Sequence, residues 1–379
     1  MDDLKKLLGD RIRDGRLRIS LTQQRLAEEA GFSSAQIISQ IEMGERDVKA
    51  WELFNLAKAL RLDVAQLLAK EASEPSAPVL WRKTPEMNRQ LIEADFLQHC
   101  HEYALVERIC KVTTERKLPS KYVNLSTMDF QEANAFGESV RRELALGNRP
   151  ASCLVGMLEE RFGVKIWYKD LGESGSAAST KGSFGLAVLI NSTEAPWRRN
   201  FSFAHELFHL LTWESIEPSL EVDGEFVDNV EKLANAFASS LILPAEEVSE
   251  TIERRIKENG LSNIDLIDVA REFDVSTDAL LWRMYNLGFM DKDTVYELLE
   301  DSDFKEFDRG IRVGEWGKPP EIPERFVRLA FLAYQLGRLA RPRLAELLRT
   351  SLIDLTDRLL EYGLDDRKDY QTFVRTVRR

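Results

Sequence analysis

Two histidines four residues apart with a glutamate beside the first, His205-Glu206-Leu207-Phe208-His209, carry the densest chemistry in a chain that holds four histidines in all. On a helix, positions i and i+4 share a face, so both imidazoles can meet one Zn2+ while Glu206 addresses the position such a metal leaves open. That arrangement suits hydrolysis of an amide bond, with the metal as Lewis acid and Glu206 as the group that takes and returns a proton. The competing reading is a buried helix carrying two satisfied histidines.

Catalytic zinc commonly has three protein ligands, so a third is expected downstream of His209. Glu231 is the best candidate, because it opens the helical stretch 231–244, where Ala234 and Ala238 permit close approach to the histidine helix. One turn on, Asn235 could accept the N–H of a ligand histidine and fix its tautomer. Glu214, Glu217, Glu221, Asp223, Glu225 and Asp228 compete for the same role from a stretch that reads as loop. Two imidazoles and a carboxylate favour Zn2+. The stabiliser of the developing oxyanion is open, with Tyr168 or an arginine as options. His99, Cys100, His101 and Cys110 form a second cluster of soft and imidazole ligands, for which packing is the simpler reading.

The elements that must position these groups follow from periodicity. Residues 164–168 and 185–191 read as strands bracketing a Gly/Ser-rich loop at 172–184, and the second leads into the histidine helix. The strand ending at Asn191 is expected to pair with an extended substrate backbone, as edge strands do. Helices are expected at 132–146, at 153–162 and through most of 232–286, and the tail from Pro319 carries amphipathic stretches suited to partner or self-packing. Residues 72–85, with Ser73, Pro75, Ser76, Pro78 and Thr84, read as a linker.

Upstream, residues 8–68 read as five short helices. Thr22 caps one that runs to the turn at Gly31, and a second begins at Ser34, which is helix-turn-helix order. With 379 residues, 44% hydrophobic and 31% charged, the chain can bury two or three cores without staples. Three cysteines without a C-x-x-C pair argue for a reducing cytoplasm, and the charged start and lack of long apolar runs argue against a signal peptide or membrane span. The net charge of −12 is uneven: residues 1–70 carry +1, leaving −13 for the rest, so any DNA contact is expected from the N-terminal module alone.

Two resemblances sharpen this reading. Gln23, Leu26-Ala27, Gly31, Ile38-Ser39-Gln40-Ile41-Glu42, Gly44, Arg46 and Leu56-Ala57-Lys58-Ala59-Leu60 resemble the Xre/Cro/C1 repressor-type domain. The resemblance implies Gln36, Ser39 and Gln40 as base-edge contacts and Gln23 and Arg46 as phosphate contacts. A fold of this kind used only to hold a partner protein is the alternative. The pattern Arg199-x-x-x-x-Ala204-His205-Glu206-x-x-His209, then Glu231-x-x-Ala234-Asn235-x-Phe237-Ala238 and Leu243-Pro244, resembles the ImmA/IrrE metallo-endopeptidases over roughly residues 125–290. It implies His205, His209 and Glu231 as zinc ligands, Glu206 as the catalytic carboxylate, and an Xre-type repressor or antitoxin as substrate in a stress, mobile-element or phage circuit.

The expected architecture is α+β and mostly α. It comprises a helix-turn-helix domain at 1–70, a linker and helical segment at 71–124, a small zincin-like domain with a short β-sheet at 125–290, and a helical region at 291–379. The expected protein is a cytoplasmic zinc endopeptidase that regulates transcription, with room for operator DNA at 1–70 and for a homodimer. The alternative is a DNA-binding regulator or antitoxin whose zinc fold is a non-proteolytic sensor.

Overall fold

The computed structural model describes residues 2–68, 77–112, 117–216, 224–256, 260–311 and 317–368. The chain divides into two compact units, residues 1–78 with 85–104, and residues 79–84 with 105–379. Among the described residues no helix is long and apolar enough to cross a membrane.

The first unit holds α1 (Asp2–Arg18), α2 (Gln23–Ala30), α3 (Ala35–Glu42), α4 (Ala50–Ala59) and α5 (Val64–Leu68). It also holds the residues up to Ala104 of α6 (Arg89–Cys110). Thr22 caps α2 by accepting from the Arg25 N–H at 3.1 Å, and Gly31 ends it in the left-handed region at φ 76°. That turn hands the chain to α3 in the expected helix-turn-helix order. Ile12, Leu26, Ile38, Ile41, Leu56 and Leu60 form the buried core. α1 and α3 meet almost backbone to backbone, since a Cβ on Gly9 would lie 2.4 Å from the Ile41 carbonyl oxygen. Buried Glu42 receives Arg16 at 2.6 and 3.0 Å and Gln23 Nε2 at 2.7 Å, so its charge is fully paired.

The second unit contains a four-stranded sheet, β1 (Val79–Trp81), β2 (Lys165–Lys169), β3 (Ala177–Gly182) and β4 (Gly185–Asn191), in the order β1-β3-β4-β2. β2 runs parallel to β4, and the other pairings are antiparallel. Two of these strands depart from expectation. β3 lies within the presumed loop at 172–184, where Ala177, Ala178 and Ser179 give little β signal, and β1 lies within the presumed linker. Their presence puts β4 at the centre of the sheet, so the strand ending at Asn191 is not the substrate-pairing edge that sequence reasoning assigned.

The helices of this unit are α7 (Phe130–Glu143), α8 (Leu154–Phe162), α9 (Pro196–Leu211), α10 (Trp213–Ile216), α11 (Gly224–Ile242), α12 (Ala245–Glu253), α13 (Asn263–Glu272) and α14 (Thr277–Asn286). There follow α15 (Lys292–Glu300), α16 (Ser302–Ile311), α17 (Glu324–Gln335), α18 (Arg341–Leu347) and α19 (Leu355–Glu361). α9 and α11 share one apolar core with Val188 and Ile190 of β4. On the opposite face of the sheet Trp167 packs on Phe326 of α17 at 5.4 Å, so the tail helix packs on its own chain. Arg283 of α14 ties α7 to the end of α11 by bonding Glu138 at 3.0 Å and the Leu243 carbonyl at 2.9 Å.

One buried group makes stability depend on pH. Oε1 of Glu159 on α8 is buried without a hydrogen bond, and burial pushes this carboxyl from 4.5 up to about 7 despite Arg325 nearby. Between those values the folded chain holds a proton the unfolded chain has released, so stability falls as pH rises through the window. Glu159→Gln is therefore expected to match wild type in thermal unfolding at pH 5 and to exceed it at pH 8, by up to roughly 3 kcal/mol. Equal melting curves at pH 8 would contradict this account.

Candidate metal centre

α9 starts where β4 ends, and Asn191 builds the joint. Its side-chain amide donates to the Gly172 and Gly175 carbonyls at 2.8 Å each, while its oxygen accepts from Thr193 N–H at 3.1 Å and Thr193 Oγ1 at 2.8 Å. Pro196 then occupies the first turn of α9, where its missing N–H costs nothing. Arg199, also buried, bonds back to the Ser192 carbonyl at 3.2 Å. From Ser202 to Leu211 every residue of α9 is buried, so both histidines and Glu206 are enclosed by protein.

α11 crosses α9 and brings Glu231 to the histidines. One carboxylate oxygen lies 3.1 Å from His205 Nε2, the other 3.2 Å from His209 Nε2, and the two Nε2 atoms are 3.1 Å apart. A tetrahedral Zn2+ with bonds near 2.0–2.1 Å holds its ligand atoms roughly 3.3 Å apart, so this donor set fits such an ion. His205 Nδ1 lies 3.0 Å from Asn235 Oδ1, which favours the tautomer that donates there and turns the Nε2 lone pair toward His209 and Glu231. Lone pairs converging on a carboxylate are stable together only with a proton or a cation between them. Among the described residues this is the one His/Cys/Asp/Glu group whose ligand atoms gather closely enough for a metal.

The approach of α11 depends on its other side. A Cβ on Gly137 of α7 would lie 2.1 Å from Ser240 Oγ and 2.6 Å from the Phe237 carbonyl oxygen, both on α11. Glycine at 137 thus sets how deeply α11 seats, and Ala234 and Ala238, fully buried, keep its inner face thin.

Charge in this pocket is set by burial. Desolvation drives His205 down to about 4, a neutral imidazole, and drives Glu206 up to about 7. Burial also opposes ionisation of Glu231, but its close approach to both imidazoles holds it at about 2. The same carboxylate outweighs desolvation at His209 and raises its pKa. Both Glu206 oxygens and His209 Nδ1 lack a hydrogen bond of good geometry, and the Ser179 hydroxyl of β3 approaches Glu206 closely enough to lower its pKa in part.

The remaining candidates fall elsewhere. Glu214 pairs with Lys181, and Asp228 is exposed one turn before Glu231. Glu217, Glu221 and Asp223, and the side chain of Glu225, lie outside the described residues. Tyr168 packs edge-on against Phe203 at 6.1 Å, and its hydroxyl, raised by burial, interacts with Glu159 and Arg199 instead of the histidines. The Cys110 thiol donates to the Leu329 carbonyl at 3.1 Å, and burial raises its pKa. In the helix-turn-helix, Gln36 on α3 is exposed and Ser39 and Gln40 are half-buried, whereas Gln23 donates to Glu42 and Arg46 pairs with Glu52 at 2.7 Å. Gln23 and Arg46, expected at phosphates, each bond a buried glutamate of the module in this structure.

Sequence reasoning missed Arg82. Its guanidinium donates to Ser202 Oγ at 2.7 Å, lies 5.2 Å over the Phe201 ring, and feels Glu206, Glu194 and Glu231. Ser202 is one helical turn before Glu206, and Ser176 and Glu194 complete the network at 3.0–3.4 Å. Nothing in a residue just past a three-residue strand, 120 positions upstream, signals that contact.

Removing the charge with Glu231→Gln is expected to abolish tight zinc binding, and Asn235→Ala to weaken it by about 10- to 100-fold. Competition against a chromophoric chelator reads both. Wild-type affinity in Glu231→Gln would remove that residue from the centre.

Parts of the chain are similar to known proteins. Residues 159–285 match the family model of the IrrE N-terminal-like domain of the M78 peptidases, and residues 12–67 match that of a helix-turn-helix. Over 102 residues the chain is 33% identical to the radiation response metalloprotease IrrE of Deinococcus deserti, covering 26% of this chain and 35% of that relative. A solved Mycobacterium tuberculosis transcriptional regulator overlaps 48% of this chain and 51% of its own at 17% identity, with a TM-score of 0.32. The chain therefore carries a segment that matches a helix-turn-helix and one that matches a metallopeptidase-family domain, and it spans about a third of the length of the curated relative it matches.

Proposed function

We propose that this chain is a zinc endopeptidase that regulates transcription by cutting a repressor or antitoxin built on the same Xre-type helix-turn-helix as its own residues 12–67. The observation that carries the reading is the fully buried Glu206 carboxylate, with neither oxygen bonded, beside the converging His205, His209 and Glu231 donors. An ionisable group enclosed without a partner is costly, and the cost is retained where a proton must be moved.

In this reading His205 Nε2, His209 Nε2 and Glu231 hold Zn2+, and Asn235 keeps His205 in the tautomer that exposes Nε2. When bound, the ion supplies the Lewis acid that polarises the scissile carbonyl. Glu206 accepts a proton from the attacking water and returns it to the amide nitrogen as the C–N bond breaks, and the dry surroundings that favour its protonated form suit it to carry that proton. The half-exposed Glu231 and exposed Asn235 mark the solvent-facing rim of the centre. The helix-turn-helix supports operator DNA as a second partner, with Gln36, Ser39 and Gln40 of α3 outside its core.

The reaction assignment is tested with Glu206→Gln, which preserves shape and removes the base. Against a purified Xre-type repressor, wild type is expected to cleave and the variant to lose at least about a hundredfold in rate while binding zinc as before. Cleavage at the wild-type rate by the variant would overturn the mechanism.

A further inference from the structure

The sheet edge nearest the metal helix is already occupied by the protein's own chain. β1 pairs antiparallel with β3 through Val79↔Thr180, Leu80↔Ser179 and Trp81↔Ala178, and the pairing runs on through Arg82 N–H to the Ala177 carbonyl at 3.0 Å. β1 lies some eighty positions before the segment that matches the peptidase family, residues 159–285, in which β2, β4 and β3 alone would leave β3 as an open edge. Residues directly opposite share a face of a sheet, so Leu80 stands on the side of Ser179, the side that approaches Glu206. Side chains alternate along a strand, so Arg82 falls on that side too, as its bond to Ser202 on α9 requires. Leu80 packs against the core that α9 and β3 share.

We infer that the edge of β3 is the docking site for an extended polypeptide substrate, and that β1 holds it in the resting protein, with Leu80 and Arg82 in the places of two substrate side chains. The inference rests on the endopeptidase reading. An extended backbone added there would satisfy the same N–H and C=O groups that β1 now satisfies and would lie along α9 beside Glu206. The substrate that best replaces β1 offers an apolar side chain against Ser179 and a basic one two residues later, near Glu194, Ser176 and Ser202. Docking therefore requires β1 to leave, and the free energy of β1 pairing sets how readily the enzyme engages a chain.

A reversible lock tests this. Arg82 and Ala177 are a hydrogen-bonded pair, so by alternation Val79 and Thr180 form a non-hydrogen-bonded pair, with Cα atoms near about 4.5 Å, within reach of a disulfide. Both side chains point away from α9. Val79→Cys with Thr180→Cys, made in the Glu206→Gln full-length chain, is measured oxidised and after reduction by tris(2-carboxyethyl)phosphine, using the anisotropy of fluorescein-labelled β-casein as an unfolded probe. Trp81→Cys with Ala178→Cys serves as a second lock, and the parent without added cysteines controls for the native thiols. The expected result is binding by the reduced form and at least about tenfold weaker binding by the oxidised form, with no redox response in the parent. Binding that is equal in both states, or absent from both, overturns the proposal. With Glu206 restored, cleavage should follow the same gate. Gated binding without cleavage would leave the docking site standing and remove the protease reading.

Discussion

The convergence of one carboxylate with two imidazole nitrogens, from helices that share no sequence neighbourhood, is the constraint around which the second unit is arranged. Each donor lies 3.1–3.2 Å from the next, and no such grouping of acceptors holds together in a buried pocket without positive charge at its centre. Helix α9 must be enclosed so that Glu206 is dry, and α11 must seat close enough for Glu231 to span both histidines. The absence of a side chain at Gly137 and the small Ala234 and Ala238 permit that approach.

Burial then divides the roles of chemically similar groups. Two glutamates lie within one pocket, yet the one set against both imidazoles is held at about 2 and the one enclosed with only the Ser179 hydroxyl close by is raised to about 7. Environment, not residue type, separates the carboxylate held anionic from the one that burial disposes to keep a proton. The same principle distinguishes the arginines. Arg16 and Arg46 neutralise buried glutamates within the helix-turn-helix, whereas Arg82 is placed among the polar groups beside the metal helix.

The sheet ties chemistry to access. β4 delivers the chain into α9 through the Asn191 joint, β3 lays Ser179 against Glu206, and β1 closes the remaining edge. A sheet with an open edge beside a hydrolytic centre would accept any extended chain, including its own kind. Three residues of the same polypeptide cover that edge.

Much of the centre was legible in the amino-acid sequence because helical spacing is a local property. His205 and His209 share a face whatever surrounds them, and the small residues after Glu231 already foretold a closely packed helix. The Thr22 cap and the Gly31 turn likewise specify the helix-turn-helix through contacts spanning a few residues. Strand partners are not local. Ala177-Ala178-Ser179 and Val79-Leu80-Trp81 carry weak or truncated patterns; the first is made a strand by its hairpin with β4, and the second only by pairing with β3, about a hundred positions away. The place of Arg82, the central position of β4 and the orphaned state of Glu206 therefore emerged only from the tertiary structure, which alone decides what each backbone edge and each buried charge will meet.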